Sequence, residues 1–205
     1  MKTKSKLLIA LLAVLLVATS VLGYMWHTNR GLFQGNRVAG LPNAHLRVLS
    51  VEPSHFDLLF HRHNYGGVEF NHFGEGVHVY IAHYIGGERV LHEIVTGISI
   101  VGDGTLSGTV RWGLTMEENE PHELRIHLRA GAGSSQNYFD FSQFDFVVRA
   151  MSGPGFPSRQ IEQGERYILQ RWQAGGMFPI DEDRAFDPDI LSANEETVFL
   201  YMVFS

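Results

Sequence analysis

Two closely spaced histidines in a histidine-rich stretch have the arrangement of metal ligands. His61 and His63 are separated by one residue, so in a β-strand both side chains would point to the same face, roughly 6–7 Å apart along the strand. Neutral imidazoles together with a carboxylate suit zinc, iron or manganese. A third ligand could come from Glu69, His72 or His78, which follow in the same stretch. The stretch therefore raises the hypothesis of a small metal-binding protein or metalloenzyme built on the His61/His63 hairpin.

The same alternation also supports a simpler interpretation, in which these histidines face solvent. His61 and His63 alternate with large apolar side chains, which would point to the opposite face of the strand. A metal site needs surrounding groups that fix each ring, whereas residues 64–67 predict a mobile, glycine-rich turn. His83 is in phase with the apolar residues of the next strand and is expected in the core or at an edge. We therefore expect no obligatory metal or other cofactor, and the metal site stays as the alternative.

Two further groups of side chains suggest ligand chemistry. An acidic segment near the C-terminus could hold Ca²⁺, but it lacks the glycine and the final glutamate of an EF-hand loop, so a solvated loop is expected. Trp112 and Trp172 could stack on a sugar ring, as in a carbohydrate-binding module, although tryptophans in a β domain more often lie in the core. The carboxylates of the acidic segment are Asp181, Asp183, Asp187 and Asp189.

The residue types that the sequence lacks exclude several kinds of enzyme. The chain has no cysteine, and its only lysines are Lys2, Lys4 and Lys6. Cysteine nucleophiles, thiolate metal sites, disulfides and Schiff-base lysines are therefore excluded from the body of the chain. The sequence contains no G-x-S-x-G, Gly-rich phosphate loop or H-E-x-x-H motif. No catalytic residue can be assigned, and we expect a non-enzymatic function.

The body of the chain is acidic. From residue 31 onwards, 12 arginines face 22 aspartates and glutamates, a formal charge of −10 with neutral histidine. This charge repels the phosphate backbone of nucleic acids, so nucleic-acid binding is not expected. It also provides no basic patch for an anionic membrane surface.

The N-terminal residues have the pattern of a membrane anchor or a secretory signal. A basic start precedes an apolar run over residues 7–23, which is about long enough to span a bilayer. Tyr24 and Trp26 follow, where interfacial aromatic residues are common. Small residues at 18–20 or 21–23 offer cleavage sites. We expect a single-pass anchor in the cell membrane with an extracytoplasmic body, or a secreted body if the segment is cleaved.

The remaining sequence predicts an all-β fold. Residues 122–130 alternate between apolar and polar side chains, and residues 138–150 predict a strand with a bulge. Residues 197–205 are apolar on both faces, which is typical of a central strand. Turns are expected at residues 64–67, 85–88 and 102–104. About nine strands in ~160 residues favour an antiparallel β-sandwich of immunoglobulin-like or jelly-roll type, after the N-terminal transmembrane helix.

The strand pattern resembles that of bacterial immunoglobulin-like ectodomains, through the number and length of the strands alone. It divides the chain into an anchor or signal over residues 1–30, a linker over 31–43 and an extracytoplasmic β-sandwich over 44–205. A short helix is expected after Asp187-Pro188. Because sandwiches commonly serve as interaction modules, we expect a membrane-anchored module that binds a protein or a cell-envelope partner.

Overall fold

The first element is an apolar helix, α1, over Lys2–His27. Its apolar side chains point outward around the helix, and Leu16 is 68% exposed. The helix is long and apolar enough to cross a membrane, a property that signal sequences share. The computed structural model describes residues 2–50, 65–117, 120–144, 148, 150–175 and 182–205.

Helix α1 ends in a capping motif centred on Asn29. Asn29 adopts a positive φ of 50°, a conformation that asparagine tolerates better than most residues. The Arg30 amide donates to the Met25 carbonyl at 2.9 Å, and the Asn29 amide donates to the Trp26 carbonyl at 3.3 Å. These two bonds form a Schellman motif, which turns the chain sharply back from the helix axis.

Within the described residues, nine antiparallel strands form one sheet with the order β5-β4-β3-β2-β9-β8-β6. Strand β1 pairs with β2 and with β7 beside this path. The prediction of an antiparallel all-β body is confirmed, whereas two separate sheets are not seen, because the strands form one continuous, open sheet. The strands are β1 (His45–Val48), β2 (Tyr65–Ile85), β3 (Glu88–Glu117), β4 (Glu120–Ala130), β5 (Gly133–Asp140), β6 (Ala150–Ser152), β7 (Ser158–Gln160), β8 (Arg166–Gln173) and β9 (Glu196–Phe204).

Strands β2 and β3 are unusually long. The turn predicted at 85–88 joins them, whereas the described residues of the turns predicted at 64–67 and 102–104 form strand instead. Tyr65 and the two glycines after it belong to β2, and Gly66 pairs with Trp112 of β3. A Cβ atom at Gly66 would lie 2.3 Å from the indole ring of Trp112, so this glycine permits a close approach instead of a turn. At the turn predicted at 102–104 β3 continues, and Gly104 pairs with Gly74 where the register of β2 shifts.

The sheet curls so that strands distant in the sheet order meet across one core. The Trp112 indole of β3 donates to the Gln170 side-chain carbonyl of β8 at 3.2 Å, although β2 and β9 lie between these strands. Phe141, directly after β5, likewise contacts Trp172 of β8, with ring centroids 4.9 Å apart. We call the face that lines this core the inner face. As expected, β4 contributes alternate residues to it, including Leu124.

Strand β9 is buried on both faces, as the sequence predicted. It lies between β2 and β8. Its inner face contributes Val198, Leu200, Met202 and Phe204 to the main core, and its outer face contributes Phe199 and Tyr201 to a second apolar cluster.

The acidic C-terminal segment covers the outer face of β9. The predicted short helix is present as α2 (Pro188–Ser192), and the Asp187 side chain caps it by accepting from the Asp189 amide. Phe186 and Leu191 pack into the second cluster. The segment is therefore acidic on its solvent side and apolar towards the sheet.

The predicted strand over residues 138–150 is wrong in its position. Strand β5 begins earlier, at Gly133, and ends at Asp140. Asp140 then starts a short 3₁₀ turn over Phe141–Gln143, because its carboxylate accepts from the Ser142 amide. This local hydrogen bond competes with the strand that the alternating aromatic residues indicate.

Candidate binding surfaces

The described histidines of the histidine-rich stretch have separate environments. His72 Nε2 lies 3.1 Å from the Ser205 carbonyl oxygen, to which it donates. His83 Nε2 lies 2.6 Å from a carboxylate oxygen of Glu196, and both side chains are largely buried. His83 is therefore a core residue with a polar partner, as expected from its phase in β2. Burial lowers the pKa of His72, and the bond to Ser205 opposes that shift.

The two central residues of the metal hypothesis, His61 and His63, lie outside the described part of the chain. Two of the candidate third ligands have other partners: Glu69 pairs with Arg47, and His72 with Ser205. Across the ranges that the structure describes, no group of three His, Asp or Glu side chains could hold a metal ion. A site formed by His61 and His63 stays a prediction.

Asp183 and Asp187, two of the described carboxylates of the acidic segment, are engaged in ion pairs. Arg159 lies 2.9 Å from Asp183, and Arg184 lies 2.9 Å from Asp187. The bond from Arg184 lowers the pKa of Asp187, and the Asp189 amide adds to this effect. The segment thus uses these carboxylates to fix its own conformation, and Asp181 lies outside the described residues.

The hypothesis that Trp112 and Trp172 stack on a sugar ring is wrong, because both side chains are buried. Trp112 is 3% exposed and Trp172 is 0% exposed. Phe141 packs on the Trp172 ring with centroids 4.9 Å apart. Neither indole can offer a face to a sugar, so the carbohydrate alternative loses the two residues that suggested it.

An aromatic cluster occupies the outer face where β2, β3 and β9 meet. Tyr80 stacks on His92 with centroids 5.2 Å apart, and on Tyr201 at 5.3 Å. The Tyr201 hydroxyl lies 2.6 Å from His92 Nε2. Burial raises the pKa of Tyr201, whereas burial and then the charges of Arg89 and Arg166 lower the pKa of His92. Both shifts favour the neutral forms of these two rings, which are stacked and bonded to each other.

Exposed apolar side chains are concentrated beside this cluster, in the hairpin of β2 and β3. Val90 is 54% exposed and Ile94, whose Cα faces that of Tyr80, is 59% exposed. We define the hairpin surface as Ile85, Val90, His92 and Ile94. The large apolar side chains that are exposed on the described chain after α1 are Leu32, Phe73, Ile85, Val90, Ile94 and Tyr138.

Within the part of the chain that the structure describes, the strand that carries most of the hairpin surface has an unpaired edge. In the described part of the sheet, β3 pairs with β4 only from Gly108 onwards, so its preceding residues pair with β2 alone. The Thr96 hydroxyl contacts Ser135 of β5, which approaches this edge further along the strand. Strand β5 is also an edge strand, but its exposed side chains are mostly polar, including Ser134 and Gln136.

A second surface forms where α1 meets the body, around a network that we call the polar clamp. The Asn71 side chain of β2 bonds to both main-chain groups of Val38 and donates to the Leu41 carbonyl at 2.7 Å. Asn29, at the end of α1, donates to the same carbonyl at 2.7 Å. Arg47 donates to the carbonyl of Gly40 at 3.2 Å. The clamp residues are Asn29, Asn71 and Arg47, and they bind residues 38–41.

Comparison with known proteins adds no functional assignment. No protein-family model, characterised protein or solved structure matches this chain. Inference about function therefore depends on the two surfaces described above.

Proposed function

We propose that this chain is a membrane-anchored, non-enzymatic binding module that holds an extended segment of a partner protein at the hairpin surface. The observation that carries the proposal is the free apolar edge of β3. The proposal also places the body outside the cytoplasm, because α1 begins with three lysines and the acidic body follows the helix.

The class of partner follows from the chemistry of a strand edge. An edge strand presents a row of main-chain N–H and C=O groups, which an extended protein segment can pair with by adding a strand. The side chains beside this edge are apolar at Val90 and Ile94. Burying one Val or Ile side chain contributes about 1.5–3 kcal/mol. A segment with alternating apolar residues would therefore gain hydrogen bonds and apolar contacts together.

The aromatic cluster explains why this edge is a defined surface. His92 is stacked against Tyr80 and bonded to Tyr201, so its ring is held in place beside Ile94. Arg166 lies over the ring of Phe186, with its guanidinium carbon 4.8 Å from the centroid, and braces the same cluster. A preorganised surface loses less conformational entropy when a partner binds.

The sandwich type of the body is part of the proposal. The contact between Trp112 and Gln170 supports it, since two regions of the sheet face each other across one core. Immunoglobulin-like and jelly-roll connections both remain compatible with an antiparallel, curled sheet of this size.

Site-specific photo-crosslinking in the native membrane tests the binding function. A benzophenone side chain in place of Ile94 should give a discrete adduct whose added mass corresponds to a different protein. The matched control places the same group at Tyr138, which is 55% exposed on the edge strand β5. We expect strong crosslinking at position 94, weak crosslinking at 138, and loss of the position-94 adduct when Val90→Lys introduces a charge beside it.

Three outcomes contradict the proposal. No adduct at position 94 would show that the hairpin surface is unoccupied. Equal adducts at positions 94 and 138 would show unspecific contact. An adduct of twice the mass of the chain would identify a second copy of the chain, and not a separate partner, as the occupant.

A further inference from the structure

We infer that the base of the body, around the polar clamp, docks on the lipid headgroup region of the bilayer that α1 crosses. This inference rests on the membrane anchor of the proposed function and goes beyond it, because it assigns a second interaction surface and a fixed orientation. Leu32 and Phe73 supply its apolar contacts, and Arg30 and Arg37 supply its cationic groups.

The polar clamp makes α1 and the body one unit at this point. Asn29 and Asn71 are 0% and 1% exposed, so their bonds to residues 38–41 are shielded from water. The Gly40 amide also donates to the Thr28 carbonyl at 2.7 Å, directly at the end of α1. Buried, fully bonded amide side chains of this kind fix a local arrangement. A helix inserted in the bilayer therefore carries the base of the body with it to the membrane surface.

The chain folds back beside α1 immediately after the capping motif. A Cβ atom at Gly31 would lie 2.4 Å from the terminal carbon of the Met25 side chain, so Gly31 is packed against the last turns of the helix. Leu32 follows and is 91% exposed. Tyr24 and Trp26 occupy the same turns of α1 and are more than half exposed. Leu32 therefore directly follows a residue that packs on the turns of α1 whose aromatic side chains suit the headgroup region.

The composition of this base suits a lipid interface. Phe73 is 51% exposed, and the Arg37 guanidinium carbon lies 5.5 Å from the centroid of its ring. Arg37 also donates to the Asn29 side chain at 3.0 Å, which places this pair next to the clamp. The Arg30 guanidinium carbon lies 5.8 Å from the Tyr24 ring centroid. Aromatic rings with arginines are the groups that favour the boundary between acyl chains and phosphates. In an otherwise acidic body, these arginines mark one side as lipid-facing.

The absence of cysteine from the sequence makes a depth measurement direct. Four single-substitution variants of the full chain would each be labelled with an environment-sensitive fluorophore. The variants are Leu15→Cys, Leu32→Cys, Phe73→Cys and Ile94→Cys. Each labelled protein would be reconstituted in phosphatidylcholine vesicles that contain lipids spin-labelled near the headgroup or deep in the acyl chain. We expect the acyl-chain spin label to quench the fluorophore at position 15 (deep quenching). We expect the headgroup spin label to quench the fluorophores at 32 and 73 (shallow quenching) several-fold more strongly than the one at 94, where little quenching of either kind is expected.

The outcomes separate this inference from the anchor. Quenching at 15 without shallow quenching at 32 and 73 overturns the docked base and leaves the anchor intact. No quenching at 15 means that the anchor of the proposed function itself fails.

The clamp is tested with Asn71→Ala, which should reduce quenching at 73 and leave quenching at 15 unchanged. Asn137→Ala is the matched control, since the Asn137 side chain bonds only within β5 to Ser135 among the described contacts. Unchanged quenching at 73 in a folded Asn71→Ala protein would overturn the role of the clamp.

Discussion

At the scale of single residues, three of the described histidines are held by contacts that leave little room for chemistry. His72 donates to the Ser205 carbonyl, His83 bonds to Glu196, and His92 bonds to Tyr201. Each of these rings also packs on an aromatic neighbour, such as Phe204 for His72 at 4.8 Å. These contacts give the rings a structural role. Because burial lowers the pKa of His72, this role makes the stability of the body sensitive to pH.

We predict that the body loses stability as the pH falls through the range in which histidine titrates. Burial lowers the pKa of His72 below its ordinary value of 6.5, so the unfolded chain binds a proton more readily than the folded chain. This stability is complete above the unfolded pKa and is lost as the pH falls through the folded pKa. The pKa of His92 shifts in the same direction, with burial as the first cause.

Denaturant unfolding of the full chain at about pH 7.5 and at about pH 5 measures this effect. His72→Gln keeps a side-chain donor for Ser205 but removes the titrating ring, so its midpoint should change less between the two pH values than that of the unaltered chain. The same pH dependence in both proteins would assign the effect to other groups. His92→Gln then shows whether the aromatic cluster contributes.

At the scale of elements, periodicity predicted strands well, whereas glycine predicted correctly only one of the three turns expected along β2 and β3. Strands β4 and β9 were evident because their side chains alternate or are apolar throughout, and this local pattern decides their burial. Gly66 and Gly104 have the same local appearance as turn glycines. The structural reason for a glycine at these two positions is visible only in the fold, where Gly66 makes room for the Trp112 ring and Gly104 pairs with Gly74. A local signal cannot separate a turn from a close approach between distant segments.

The two candidate surfaces were out of reach of the sequence for a related reason. His92 and Tyr201 meet through the register of three strands, and they are 109 positions apart in the chain. Asn29 and Asn71 share the Leu41 carbonyl, although nothing in their neighbouring residues pairs them. Contacts of this kind depend on the register between strands. The hydrophobic pattern determines which face of a strand is buried, but it does not determine which residues of distant strands lie opposite each other.

We predict that β9 needs both of its faces. Leu200→Ala opens a cavity in the main core, and Phe199→Ala opens one in the second cluster, since both residues are 0% exposed. Each change should lower the free energy of unfolding by roughly 2–5 kcal/mol. Val203→Ala, at a partly buried position of the same strand, is the control and should cost less.

Removal of residues 197–205 should leave no cooperative unfolding transition, because β9 joins β2 to β8. For the point variants, a Phe199→Ala protein as stable as the unaltered chain would show that packing of the α2 segment on the outer face of β9 does not contribute to stability.

At the scale of the whole molecule, charge and apolar surface are divided by position along the chain. The lysines lie at the start of α1, the apolar residues fill the rest of the helix, and the acidic residues follow it. Such a division is typical of a membrane protein whose N-terminus stays in the cytoplasm. With this orientation, the proposed function would offer the hairpin surface to partners on the opposite side of the membrane.

We predict this orientation for the full chain in intact cells. Ile94→Cys should react with a membrane-impermeant maleimide added outside, because Ile94 is exposed on the body. Ser5→Cys should react only after the membrane is opened, since it lies in the basic start. Reaction of Ser5→Cys in intact cells, or protection of Ile94→Cys, would reverse the orientation. Loss of the position-5 label from the mature protein would show that the segment is cleaved.

Strand β2 contains Asn71 of the polar clamp and runs from there to the hairpin. A partner that pulls on the hairpin therefore applies tension along the axis of β2. Strands β3 and β9 lie antiparallel to it on either side, so their ladder hydrogen bonds are loaded in shear and must yield together, not one after another. The clamp transfers this force to the end of α1 by a route shorter than the covalent path through β1. The body would then act as a stiff tether, through which a pull at the hairpin reaches the membrane before the sheet opens.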